Sequence, residues 1–296
     1  MALTRLAYEM VSSTQEVVAN KTVGNIEPGQ TIPPDTTLQE FIELMVTAVF
    51  APSYVNPSVT LDSSISSPQE VGYEANLTLT ATFNRGRING VMTAGVWDGA
   101  AKQNDYAGAS TKYTIDGHDN ANSNSYNKGT VTIEAGNNAF PVVVDYAEGP
   151  QPLNSKNLAF EVDGITPLTK LAADTVSGSV TVVGQRKYFH GVDNEANSSA
   201  TVRSLSASAL NASNGTSFTI NIPSGATSVV FAYPDSLRDV STVKYVEGLN
   251  AEVKNIFTKT SVSVEGANGY TAIGYKVYRY VPAAPFPQSA TYNVTI

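Results

Sequence analysis

From Asn56 onward, apolar and polar residues alternate with a period of two. The clearest run is Asn76–Phe83, where Leu77, Leu79, Ala81 and Phe83 fall on one side and threonines on the other. That alternation predicts a strand packed on a core by one face and wetted on the other, and threonine suits the wet face. Thr130–Ile133 and Pro141–Tyr146 read as further strands, with Gly136-Asn-Asn138 between them as a hairpin turn. The second half continues in the same style. Thr175–Val183, Ser217–Ile222, Thr227–Tyr233, Tyr275–Tyr280 and Thr291–Ile296 each read as strands, the third more deeply buried than the rest. A turn or two of helix is expected near Ser236–Val240. Short strands separated by Gly, Asn and Pro turns point to sandwiches rather than a parallel sheet.

The first fifty residues break this pattern. Val23–Pro34 is dense in turn formers, and a single amphipathic helix follows over about 37–49. Thr36 with Gln39, and Thr37 with Glu40, have capping-box spacing. Leu38, Phe41, Ile42, Met45, Val46 and Val49 then recur at helical intervals and make one apolar face. Pro52 and Pro57 stop the helix. A helix this short needs a partner for that face, either the first sandwich or a neighbouring copy, so these six residues are the expected oligomer or docking interface. The fold class expected is all-β: two tandem antiparallel Ig-like β-sandwich domains with a short N-terminal arm and one amphipathic helix. The boundaries expected are 1–52 for the attachment segment, 53–168 for the first sandwich and 169–296 for the second. The loop Gly149–Ser155, with two prolines, closes the first.

Composition narrows the chemistry. The 296 residues contain no cysteine, which removes disulfides, zinc–thiolate sites and thiol nucleophiles. A formal net charge of −8 offers no electrostatic footprint for nucleic acid or an anionic membrane. No apolar run approaches the roughly 18 residues of a membrane span, and the N-terminus lacks the apolar region of a secretory signal. Only 15% of the residues are charged, and Ser, Thr, Asn and Gly fill their place.

Candidate catalytic groups are few. His118 lies in a polar loop, Asp116–Asn124, rich in oxygen ligands, but the spacing is not that of an EF-hand. His190, in Gly184–Gly191, has no carboxylate and nucleophile close in sequence and reads as a strand-end aromatic. No acidic pair sits in an apolar motif that would raise a pKa, as a glycosidase requires. No phosphate-binding loop, nucleophile elbow or HExxH motif is present. No enzyme activity, metal or cofactor is therefore expected. Trp97, with Tyr106 and Tyr113, lies in a Gly/Asp/Tyr-rich connection that either plugs the first core or presents aromatics to a glycan or receptor.

Several blocks resemble tailed-bacteriophage virion structural proteins of the head-fibre or tail-fibre type, as in crAss-like and related gut phages. They are Leu3–Met10, Val23–Leu38, Asn56–Leu61, Asn84–Ile88, Tyr146–Pro152, Arg186–Gly191 and Tyr275–Tyr278. The chain departs from that pattern at Asp35, where glycine is expected. The resemblance implies a non-enzymatic fibre or decoration subunit, made in the host cytoplasm and assembled into the virion. It implies virion attachment through Leu3, Leu6, Tyr8 and Met10, with other virion proteins and further copies of itself as partners, a trimer being favoured. It carries over no catalytic residue. A glycan- or host-receptor-binding module and a polysaccharide depolymerase are the alternative functions, with a host surface glycan as the added partner.

Overall fold

The computed structural model describes residues 53–89, 104–150, 169–210 and 212–296, together with 17–18, 31–32, 92–93, 96–97 and residue 42. Within these the protein is an all-β chain of sandwich type. Packing divides it into two units, one formed by 1–59, 83–112 and 144–176 and the other by 60–82, 113–143 and 177–296.

The first sandwich has a three-stranded sheet in the order Ser125–Thr132, Glu74–Asn84, Ser58–Ser63. Its five-stranded sheet runs His118–Asp119, Ser110–Ile115, Gly136–Tyr146, Asp174–Gln185, Gln69–Glu70. The alternation in Glu74–Asn84 works as its sequence predicts: Leu77, Leu79 and Ala81 are fully buried while Thr78 and Thr80 are not. Gly136–Tyr146 repeats it with Phe140, Val142, Val144 and Tyr146. Asp116-Gly117 closes a two-residue hairpin between Ile115 and His118, with φ of 52° and 75°. Both values are left-handed, as a type I′ turn demands, and they explain why an Asp-Gly pair stands there.

Three expectations change here. Gly136, Asn137 and Asn138 are not a hairpin turn; they begin a strand. Ser125–Thr132 pairs with Glu74–Asn84, whereas Gly136–Tyr146 belongs to the opposite sheet, so residues 133–135 arch from one layer to the other. The Asn138 side chain holds the arch, accepting from Glu134 N at 3.0 Å and donating to Glu134 O and Val182 O at 2.9 and 3.1 Å. Local turn chemistry is the same for an arch as for a hairpin, so the sequence does not separate them. Second, Asp174–Gln185, read as the start of the second sandwich, lies in the five-stranded sheet of the first. Third, not every strand is antiparallel: Gly184 and Gln185 pair in parallel with Gln69 and Glu70.

The second sandwich places Ala207–Ala209, Tyr188–Val192, Val229–Pro234, Ile273–Tyr280 and Thr258–Val264 in one sheet. The facing sheet is Ser217–Ile222, Ala290–Thr295, Thr242–Tyr245, Ala251–Glu252. An aromatic cluster fills the space between them. Phe231 has Tyr278, Phe257 and Phe218 at ring separations of 5.0, 5.4 and 5.9 Å. All six residues of Val229–Pro234 are buried, which a sheet with one wet face cannot give. The reason is a cap on the outer face. Helix Ser199–Arg203 and the residues flanking it place Ala196, Val202 and Leu205 against Val230, Ala232, Tyr275 and Val277. Ser198 starts that helix through a reciprocal capping box with Thr201. The helix expected near Ser236–Val240 is instead a turn, closed by Leu237 N donating to Pro234 O.

Candidate functional site: the seam between the sandwiches

Strand Asp174–Gln185 of the first sandwich leads to Tyr188–Val192 of the second through Arg186 and Lys187 alone. So short a connection presses the ends of the two sandwiches together, and residues 69–73 fill the seam. Their backbone is bonded to both sides. Val71 N donates to Gln185 O at 3.0 Å and Gly72 N to Ile133 O at 2.8 Å. From the second sandwich, Ala267 N donates to Val71 O at 2.8 Å, and Asn268 Nδ2 to Gly72 O at 3.0 Å. Gly72 has φ of +86°, and a Cβ there would lie 2.3 Å from Ala267 O and from Tyr270 Cβ. Only glycine supplies both the conformation and the room.

One charge is buried in this seam. Glu70 is 9% exposed, and each of its oxygens has a cation: Arg203 Nη1 at 2.5 Å on one and Lys187 Nζ at 2.9 Å on the other. Burial pushes the Glu70 carboxyl up, but the hydrogen bonds from Arg203 and Lys187, with their charges, outweigh it and hold its pKa below the ordinary value. Arg203 also donates to Glu265 O at 2.8 Å and lies 5.9 Å from the Phe189 ring centre. Thus Glu70 of the first sandwich is gripped by the linker and by the capping helix of the second. Tyr275 donates its hydroxyl to Lys187 O at 2.9 Å, and burial raises its pKa. Arg186 donates to Thr271 O at 2.6 Å beside the Tyr270 ring. Arg186, Lys187 and Tyr275 lie in two of the resembling blocks, but none of the seam residues was marked as a site by the sequence. The one local signal is an acid between Pro68 and the apolar Val71, which is too common to single out.

None of the residues expected to carry function is among the described residues of this seam. Leu3, Leu6, Tyr8 and Met10 are outside the described residues, as are Leu38, Phe41, Met45, Val46 and Val49. Ile42 is helical and 44% exposed. Trp97 sits in a two-residue strand, Val96–Trp97, paired with Met92–Thr93. Tyr106 follows strand Asn104–Asp105, Tyr113 lies within Ser110–Ile115, and both are partly buried. These two tyrosines belong to different packing units.

The histidines act as rings. His118 stacks on Tyr126 at 4.5 Å. His190 stacks on Phe218 at 5.0 Å at the margin of the aromatic core, and burial lowers its pKa. Among the described residues His190 makes ring contacts only, so the geometry supplies it with no general-base partner. Among those residues no three His, Asp or Glu side chains gather where they could hold a metal ion, and no helix is long and apolar enough to cross a membrane. Compared with known proteins, the chain matches no protein-family model, no characterised sequence and no solved structure.

Proposed function

We propose that this protein is a non-enzymatic structural subunit of a tailed-phage virion, a fibre or decoration protein. In this reading residues 1–52 dock on the particle or on sister chains, and the sandwiches project outward. The observation that supports a mechanical role is the seam. A two-residue connection, backbone bonds from residues 69–73 to both sandwiches and a buried carboxylate held by two cations make a joint that resists bending. A flexible tether between independent modules needs none of these. The virion assignment itself rests on the resemblance of the sequence blocks. In this reading the helix expected over about 37–49 docks by the face Leu38, Phe41, Ile42, Met45, Val46 and Val49, and three-fold packing of such faces buries all of them.

The test is location and mass. Labelled antibody on purified particles is expected to mark the head, collar or tail, and the purified chain to weigh as a trimer. Ile42→Asp with Val46→Asp is expected to give folded monomers that no longer load onto particles. A particle lacking the protein, or a wild-type chain that stays monomeric with its helix protected from exchange, refutes the respective part.

A further inference from the structure

The cap on the outer face of the second sandwich stops short. It covers Val230, Ala232, Tyr275 and Val277, but beyond them the same face lies open. Register places Thr258 opposite Arg279, Thr260 opposite Val277 and Val262 opposite Tyr275, so Thr258, Thr260, Val262 and Arg279 share that uncovered face. They floor a groove with a volume of about 480 Å³, within the range of small-molecule sites. Glu195 and Asn197 form one wall, and Ile256 and Val281, 38% and 53% exposed, form another.

Arg279 is the cation among the residues lining the groove. It is half-buried, and its Nε donates to Asn194 O at 3.0 Å, which sets the plane of the guanidinium. Among the described residues it forms no ion pair and its two terminal nitrogens have no protein acceptor. A guanidinium held in one plane with its fork unused fits a planar carboxylate. The rest of the groove limits what carries that carboxylate. Thr258, Thr260 and the Asn197 amide offer hydrogen bonds suited to hydroxyls, and Glu195 accepts from hydroxyl donors but disfavours a group that concentrates two negative charges on one centre, as phosphate does. The apolar wall suits the C–H face of a sugar ring.

We propose that this groove binds a uronic-acid unit of an acidic polysaccharide, with Arg279 on the carboxylate and Thr258, Thr260, Asn197 and Glu195 on ring hydroxyls. The site does not depend on the virion role, so it stands or falls separately.

The experiment is titration of the ¹⁵N-labelled full chain with oligomers of galacturonate, glucuronate and mannuronate. The matching methyl esters, inorganic phosphate and an acidic peptide are run in parallel. Saturable shifts confined to 194–197, 258–262 and 279–281 are expected with at least one uronate. Esterification and Arg279→Gln are each expected to weaken binding about tenfold or more, the loss of a charge-assisted pair. Because Arg279 also anchors Asn194, Thr260→Val provides a second variant outside the capping contacts. It is expected to weaken binding with an unchanged melting temperature. The proposal is overturned if no uronate shifts these residues, if esters or phosphate bind as well as the acids, or if only the peptide binds. It is overturned equally if both variants bind like wild type.

Discussion

Replacing Glu70 tests the seam directly. Its carboxylate accepts two charge-assisted hydrogen bonds, from Arg203 and Lys187. Such bonds contribute roughly 1.5–3 kcal/mol each when enclosed. The cations are 29% and 31% exposed at their side chains, so water recovers part of that on loss of the carboxylate. Glu70→Gln keeps the shape and one acceptor oxygen and should cost about 2 kcal/mol. Glu70→Ala, which also leaves a gap, should cost about 3 kcal/mol. For a unit of this size each kcal/mol lowers the melting temperature by roughly 2–4 °C, so Glu70→Gln should melt about 4–8 °C lower by calorimetry.

The pH dependence carries the sharper signature. The folded pKa of Glu70 is held below 4.5, its ordinary value, so the native state binds fewer protons than the unfolded chain. This contribution is fully present above pH 4.5 and is lost as pH falls through the folded pKa. Glu70→Gln should therefore flatten the acid side of the stability curve and converge with wild type at low pH. A double-mutant cycle with Arg203→Met should show coupling of about 1 kcal/mol or more. Melting within 1 °C of wild type by both variants, with parallel acid limbs, would refute the claim that this cluster holds the sandwiches together.

Two further outcomes follow from the same geometry. Asn138→Ala removes the bonds to Glu134 N, Glu134 O and Val182 O and should cost about 2 kcal/mol, read as a lower urea midpoint; Asn138→Asp keeps only the acceptor and should not rescue it. Burial holds the His190 pKa below 6.5, so the native state favours the neutral ring and stability falls as pH drops from 6.5 through the folded pKa. His190→Phe should remove that component while keeping the stack on Phe218, and an unchanged slope in a melting series across this range would sink the assignment.

Much of the architecture was legible because a strand announces itself by its period. Leu77, Leu79 and Ala81 within Glu74–Asn84, and Phe218, Ile220 and Ile222 within Ser217–Ile222, bury every second residue as their letters require. Asp116-Gly117 turns where Asp-Gly pairs turn. The letters are ambiguous where two arrangements share the same local chemistry. The arch at 133–135 and a hairpin both need a Gly/Asn bend, and nothing within ten residues says which sheet the next strand joins. Helix Ser199–Arg203 was missed because five residues cannot display a periodic face, although Ser198 and Thr201 carry its cap.

By itself, then, the sequence determined most of the strands and the class: alternation, turn residues and an apolar content sufficient for two cores leave little but β-sandwiches. Only the tertiary structure decided the partners. It laid Asp174–Gln185 in the first sandwich, brought Glu70 to Arg203 across 133 positions, and left Arg279 beside an open groove. The physical reason is range. Strand period and turn type depend on neighbours in the chain, whereas a buried charge acquires its meaning from side chains that only folding brings within hydrogen-bonding distance.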